Sequence, residues 1–158
     1  MDKLNKLDMQ ILRIISRNAR LSIKDIAEEC GSSRSAVNQR LQRLIASGVI
    51  KNPGFSIHPR ALGYKTCTYI GIKLERGSLY KEVIPRLKEI PEIVECHYTT
   101  GPYSMIIKLY AIDNDDLMRV LNGILQEIPE VLETETLISL DNPLDRGIHI
   151  PSAAVEVD

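Results

Sequence analysis

The stretch from Ile23 to Ile50, IKDIAEECGSSRSAVNQRLQRLIASGVI, leaves this chain the least conformational choice, because it reads as two helices separated by only two residues. In the first half Ile23, Ile26, Ala27 and Cys30 recur at i, i+3, i+4 and i+7, which sets all four on one helical face. Ser22 with Asp25 three residues later is a capping-box pattern, which satisfies free amides at a helix start. Gly31 ends this helix, and after Ser32 a second one is predicted from about Ser33 to Ser47, its stripe being Val37, Leu41, Leu44 and Ile45. Ser35, Gln39, Gln42 and Arg43 point away from that stripe, Asn38 and Arg40 flank them, and none is acidic. Any small helical bundle contains such a pair with a solvated outer face. The same arrangement is also what a helix-turn-helix requires, with donors and acceptors for base edges and cations for phosphates.

Charge separates these readings. The formal net charge of −1 is the sum of +6 over residues 1–60 and −7 over residues 61–158, so two domains with different partners are expected. A basic N-terminal third suits a polyanion, since neutralised phosphates release counterions and supply most non-specific affinity. A chain of 158 residues, 44% hydrophobic, has room for two small domains with real cores. With no apolar run of about 18 residues and no apolar core in the opening MDKLNKLDM, a cytoplasmic protein without a membrane partner is expected. Cys30, Cys67 and Cys96 are odd in number and never in CxxC spacing, and His58, His97 and His149 are scattered, so neither a disulfide framework nor a metal site is expected.

Before the helix pair, Leu7, Ile11, Ile14 and Ile15 mark a helix from Leu7 to Asn18 that completes a three-helix core. After it, Val49 to Ile57 reads as a hairpin turning at Pro53 and Gly54, a small wing or a connector, and His58, Pro59 and Gly63 mark a boundary. From Tyr64 the pattern changes. Strands are predicted at Thr66–Glu75, Ile93–Thr100, Tyr103–Ile112 and Val131–Leu140, with helices on the stripes Leu79, Val83, Leu87, Ile90 and Leu117, Val120, Leu121, Leu125. The second helix is announced by Asp113, Asn114, Asp115 and Asp116, whose side chains suit a helix N-terminus. LKEIPEIVECHYT from Leu87 and LQEIPEVLETETL from Leu125 repeat one helix-to-strand device 38 residues apart. The expected class is α+β: a helix-turn-helix domain over 1–60, a ferredoxin-like βαββαβ domain over 64–140, and a tail over 141–158 with no readable period, expected either to lie across a neighbouring subunit or to be partly mobile.

Two helices cover one face of such a sheet. The other would show Tyr69, Gly71, Lys73, His97, Thr99, Ser104, Lys108 and Tyr110, a mixed surface expected to join two subunits and so pair the helix-turn-helix heads for palindromic half-sites. The turn at Gly101 permits close backbone approach, and Thr100, Tyr103 and Ser104 offer hydroxyls. The same residues also describe an ordinary hairpin in which Gly101 and Pro102 only set geometry.

At this point the chain resembles the Lrp/AsnC feast/famine transcription regulators over nearly its whole length. The resemblance lies in the Leu7-Asp8 start, Arg20, the Gly31-Ser32 joint, Arg40, Leu44 and Gly48-Val49-Ile50, and in TTGPYSMIIKL and TETLISLDNP of the second half, which resembles the family's effector-binding RAM domain. The last two segments look most like the asparagine-responsive AsnC branch. Many relatives carry an acid at the position of Ser104, and its absence fits that branch better than a leucine-type response. The resemblance implies a DNA-binding dimer assembling further, to an octamer of four dimers, with a free amino acid as effector and no cofactor. Ser33, Arg34, Ser35, Asn38 and Gln39 would lie nearest the bases; Arg40, Arg43 and Lys51 would neutralise phosphate; and Ser32 and Gln42 complete the set. The effector set would be Tyr98, Thr99, Thr100, Gly101, Pro102, Tyr103, Ser104, Thr134 and Thr136. A ligand-independent architectural protein that bends or wraps DNA is the alternative. No catalytic grouping, phosphate loop or metal spacing suggests an enzyme.

Overall fold

The computed structural model describes residues 4–51 and 56–151, so the expected turn at Pro53 and Gly54 lies outside the described residues. The chain divides into two compact units, one made of the N-terminal segment to Phe55 together with the segment from Leu144 onward, the other of Ser56–Pro143.

The first unit is built on α1 (Lys6–Arg17), α2 (Ile23–Cys30) and α3 (Arg34–Ala46). The Ser22 and Asp25 capping box is present, and α1 has a second one, in which the Asn5 side chain accepts from the Asp8 amide and the Asp8 carboxylate from the Asn5 amide. Gly31 takes a left-handed φ of 62°, and the amides of Gly31 and Ser32 close on the carbonyls of Glu28 and Ala27, so the chain reverses within two residues. The predicted stripes then converge: Ile11, Ile14, Ile26, Ala27, Val37 and Leu44 form one buried cluster. Each large aliphatic side chain fully buried there is worth about 1.5–3 kcal/mol. Ile45, although on the predicted stripe, is 39% exposed. It lines an apolar groove of about 580 Å³ together with Leu12, Ile15 and Leu41, and the returning tail lies along it through Ile148, Ile150 and Pro151. The Arg13 guanidinium donates to the Pro151 carbonyl from Nη2 at 2.8 Å and from Nε at 3.2 Å.

In the second unit β1 (Thr66–Leu74), β2 (Ile93–Tyr98), β3 (Met105–Ala111) and β4 (Val131–Ser139) form one antiparallel sheet in the order β2-β3-β1-β4. With α4 (Tyr80–Lys88) after β1 and α5 (Asn114–Val120) after β3, this is the ferredoxin-like arrangement. Alternation sorts the faces. Ile70, Ile72 and Leu74 of β1 are buried with Met105, Ile107 and Leu109 of β3 against Val83 and Leu87 of α4 and Val120 of α5. Asp113 caps α5 by accepting from the Asp116 amide, and the helix continues as a wider π turn over Leu121–Leu125, which keeps Leu121 and Leu125 in the core.

Candidate functional site

The outer face of α3 is polar and open. Its start is set by Ser33, whose hydroxyl accepts from the Ala36 amide at 3.2 Å and retains its own proton to donate. Ser33, Arg34, Ser35, Asn38, Gln39 and Gln42 are exposed, Ser32 is half-buried in the joint, and Lys51 is exposed beyond the helix. Arg40 and Arg43 behave differently. Arg43 reaches back to α1 and donates from Nη2 to Asp8 Oδ2 at 2.7 Å, and Arg40 Nη1 stands 3.7 Å from the same oxygen. Asp8 is fully buried and lies at i, i+3 and i+7 with Ile11 and Ile15, an acid on an otherwise apolar stripe. That placement is the sequence signal that sets it apart, and it assigns Asp8 a partner 35 residues away that no local pattern contains.

The predicted effector residues from Tyr98 to Ser104 gather at the β2–β3 loop, whereas Thr134 and Thr136 lie along β4, and the set divides between the faces of the sheet. Thr99 and Ser104 close the β2–β3 loop: the Thr99 amide donates to the Ser104 carbonyl at 3.1 Å and the Thr99 hydroxyl to the Tyr103 carbonyl at 2.9 Å. The Ser104 hydroxyl accepts from the Leu74 amide at 3.2 Å and keeps a proton for another partner. Thr100, Gly101 and Pro102 are exposed at the tip, with Gly101 at φ 113°. Tyr98 turns toward the helices and stacks on Tyr80, ring centroids 4.2 Å apart. Thr134 and Thr136 stand opposite Ile72 and Ile70, and so share the helix-side face.

Tyr103 takes the other side. Its ring lies on Gly71, where an added Cβ would fall 2.6 Å from the ring, and its hydroxyl donates to the Glu135 carboxylate of β4. Glu135, between the expected Thr134 and Thr136, carries no local pattern that marks it as Tyr103's partner. The hydrogen bond to Glu135 holds the Tyr103 phenol above its usual range, with burial and the nearby Glu133 charge acting in the same direction. A raised folded-state value means that this latch is intact below the ordinary tyrosine pKa of about 10 and is lost as pH rises through the folded value. Phenolate absorbance titration of Glu135→Gln is therefore expected to show one tyrosine moving from the late-titrating group to a lower pH; an unchanged curve contradicts the latch.

The open face carries Tyr69 beside Leu137, 39% and 53% exposed, and Lys108 between the Tyr69 and Tyr110 rings at 5.7 Å from each. Burial alone would depress the Lys108 ammonium, but Glu95 at 3.2 Å and the two rings outweigh it and hold it above its ordinary value. Among the described residues no helix is long and apolar enough to cross a membrane, and no His, Cys, Asp or Glu cluster is placed to hold a metal ion.

Two family descriptions match this chain: a winged helix-turn-helix DNA-binding domain over residues 4–51 and an Lrp/AsnC ligand binding domain over residues 67–148. The regulatory protein AsnC of Haemophilus influenzae is 38% identical over 148 residues, 94% of this chain and 99% of that one. The structure of Escherichia coli AsnC superposes with a TM-score of 0.85 at 34% identity, covering 92% of this chain and 97% of that one. A feast or famine regulatory protein from Mycobacterium tuberculosis complexed with L-methionine superposes with a TM-score of 0.85 at 26% identity, covering 94% and 99%. The chain thus belongs to the Lrp/AsnC family, as a DNA-binding transcription regulator joining a winged helix-turn-helix unit to an Lrp/AsnC ligand-binding domain.

Proposed function

We propose that the protein selects its DNA sites with α3 and that its DNA binding or assembly responds to a free amino acid, asparagine first. The observation carrying the DNA half is the exposed row Ser33, Arg34, Ser35, Asn38, Gln39 and Gln42, free of acids and borne on the basic unit. These side chains present the forks and amides that bind guanine and adenine edges in the major groove, and Lys51 supplies phosphate charge at the far end. Two copies joined through the open sheet face would present two α3 helices to half-sites about one helical turn apart, and further assembly to four such dimers agrees with the family.

The effector half rests on the loop from Thr99 to Ser104 and on the relative complexed with L-methionine, in which a family member holds a free amino acid. Backbone amides near Gly101 suit an α-carboxylate, while Thr100 and the remaining hydroxyl proton of Ser104 suit a polar side chain better than an aliphatic one. The names of the AsnC relatives, with a serine rather than an acid at 104, put asparagine ahead of leucine. Titration calorimetry over the free amino acids at millimolar concentration is expected to give heat of binding with asparagine above all others. Silence across the whole set removes the sensor role and leaves a ligand-independent architectural DNA protein of the cytoplasm, which DNA-bending assays would then characterise.

A further inference from the structure

We propose that Asp8 is a positioning residue for DNA recognition: through Arg43 and Arg40 its buried carboxylate fixes the angle of α3 on α1, and these two arginines orient the reading helix instead of serving as free phosphate ligands. The inference rests on α3 being the helix that reads DNA.

The geometry supports this in three ways. Asp8 Oδ2 collects the Asn5 amide at 2.9 Å, Arg43 Nη2 at 2.7 Å and Arg40 Nη1 at 3.7 Å, so one oxygen ties the first turn of α1 to the middle and the last turn of α3. Asp8 is 0% exposed and its Oδ1 is buried without a hydrogen-bond partner among the described residues, so the carboxylate depends on the arginines for compensation and a shift of α3 would strand it. The Arg40 and Arg43 side chains are only 32% and 35% exposed, unlike their outward neighbours Asn38, Gln39 and Gln42. The apolar contacts of α3 are non-directional, whereas a charge-assisted hydrogen bond at 2.7 Å adds a directional constraint between α3 and α1. A base-edge hydrogen bond demands its donor within a few tenths of an ångström, and a clamp along the flank of the same helix supplies that registration.

The two readings of these arginines give opposite results for one substitution. If Arg40 and Arg43 are phosphate ligands restrained by Asp8, Asp8→Asn frees them and strengthens binding to every duplex. If Asp8 positions α3, the same change lowers affinity for the preferred sequence only.

The test uses the full-length protein, a duplex that the wild type has selected from a random pool, and a scrambled duplex of the same composition, each titrated over a salt series well below the melting temperature. For Asp8→Asn, affinity for the selected duplex is expected to fall roughly tenfold or more and that for the scrambled one to change by less than about threefold, with the salt slope unchanged. Tighter binding of both duplexes by similar factors with a steeper slope overturns the proposal, and so does an unchanged ratio. Should Asp8→Asn fail to fold, Arg43→Gln decides: a slope reduced by about one with the ratio preserved marks a phosphate ligand and overturns the proposal, whereas a lost ratio at constant slope sustains it. Failure of the wild type to select any sequence would instead remove the reading of α3 itself.

Discussion

Arg34→Ala is expected to relax sequence preference at one position of each half-site, costing about 1–3 kcal/mol there, or roughly ten- to a hundredfold in discrimination. The physical ground is its place. Arg34 is the first residue of α3, exposed, immediately after the Ser33 cap, and so at the end of the helix proposed to enter the groove first. A guanidinium there can take guanine O6 and N7 together, and no neighbour on the exposed row offers the same fork. Lys51→Ala should act differently, weakening all duplexes alike and flattening the salt slope by about one, because a single phosphate contact carries no sequence information. Selection from random duplexes checks both. Equal discrimination by wild type and Arg34→Ala removes Arg34 from the reading set.

The second large effect is placed in the other unit. Gly71→Val is expected to weaken amino-acid binding by about tenfold or more. Gly71 is buried in the middle of β1, and its backbone is not in the left-handed region, so a side chain costs nothing in φ and a β-branched one suits a strand. What it displaces is the ring of Tyr103, which a Cβ added at Gly71 would meet at 2.6 Å. The phenol then loses Glu135, and the loop from Thr99 to Ser104 loses its tie to β4. Binding calorimetry on Gly71→Val with an affinity equal to wild type would show that the latch has no part in holding the effector.

Much of this architecture is legible in the residues because local rules and burial agree. The period-3.6 stripes and the Ser22 to Asp25 box place α2 and α3 within a residue of their positions, and strict alternation over Thr66–Leu74 assigns β1 its two faces. Strand ends are less legible. β2 stops at Tyr98, not Thr100, and β3 begins at Met105, not Tyr103, because Thr99 and Ser104 spend their polar groups closing the loop and not in a ladder. The site details that escape a sequence reading are all long-range. Asp8 meets Arg43 across 35 positions, Ser104 meets Leu74 across 30 and Tyr103 meets Glu135 across 32, contacts that only the packed fold creates. The tail is similar: Pro143, Gly147 and Pro151 argue against regular structure, and residues 141–151 form none, but the groove on the helices exists only once Leu12, Ile15 and Leu41 have been assembled.

One chain is proposed to couple DNA selection by α3 to a free amino acid held by the sheet domain. A ligand can shift DNA binding only if it favours one DNA-binding or assembly state over another, and such a coupling is reciprocal. The direct measurement is titration of the selected duplex with the full-length protein, with and without saturating asparagine, by fluorescence anisotropy. The two isotherms are expected to separate in midpoint or steepness, and Gly71→Val is expected to bring them together. Superimposable isotherms for the wild type, with asparagine and with every other free amino acid, would contradict that coupling.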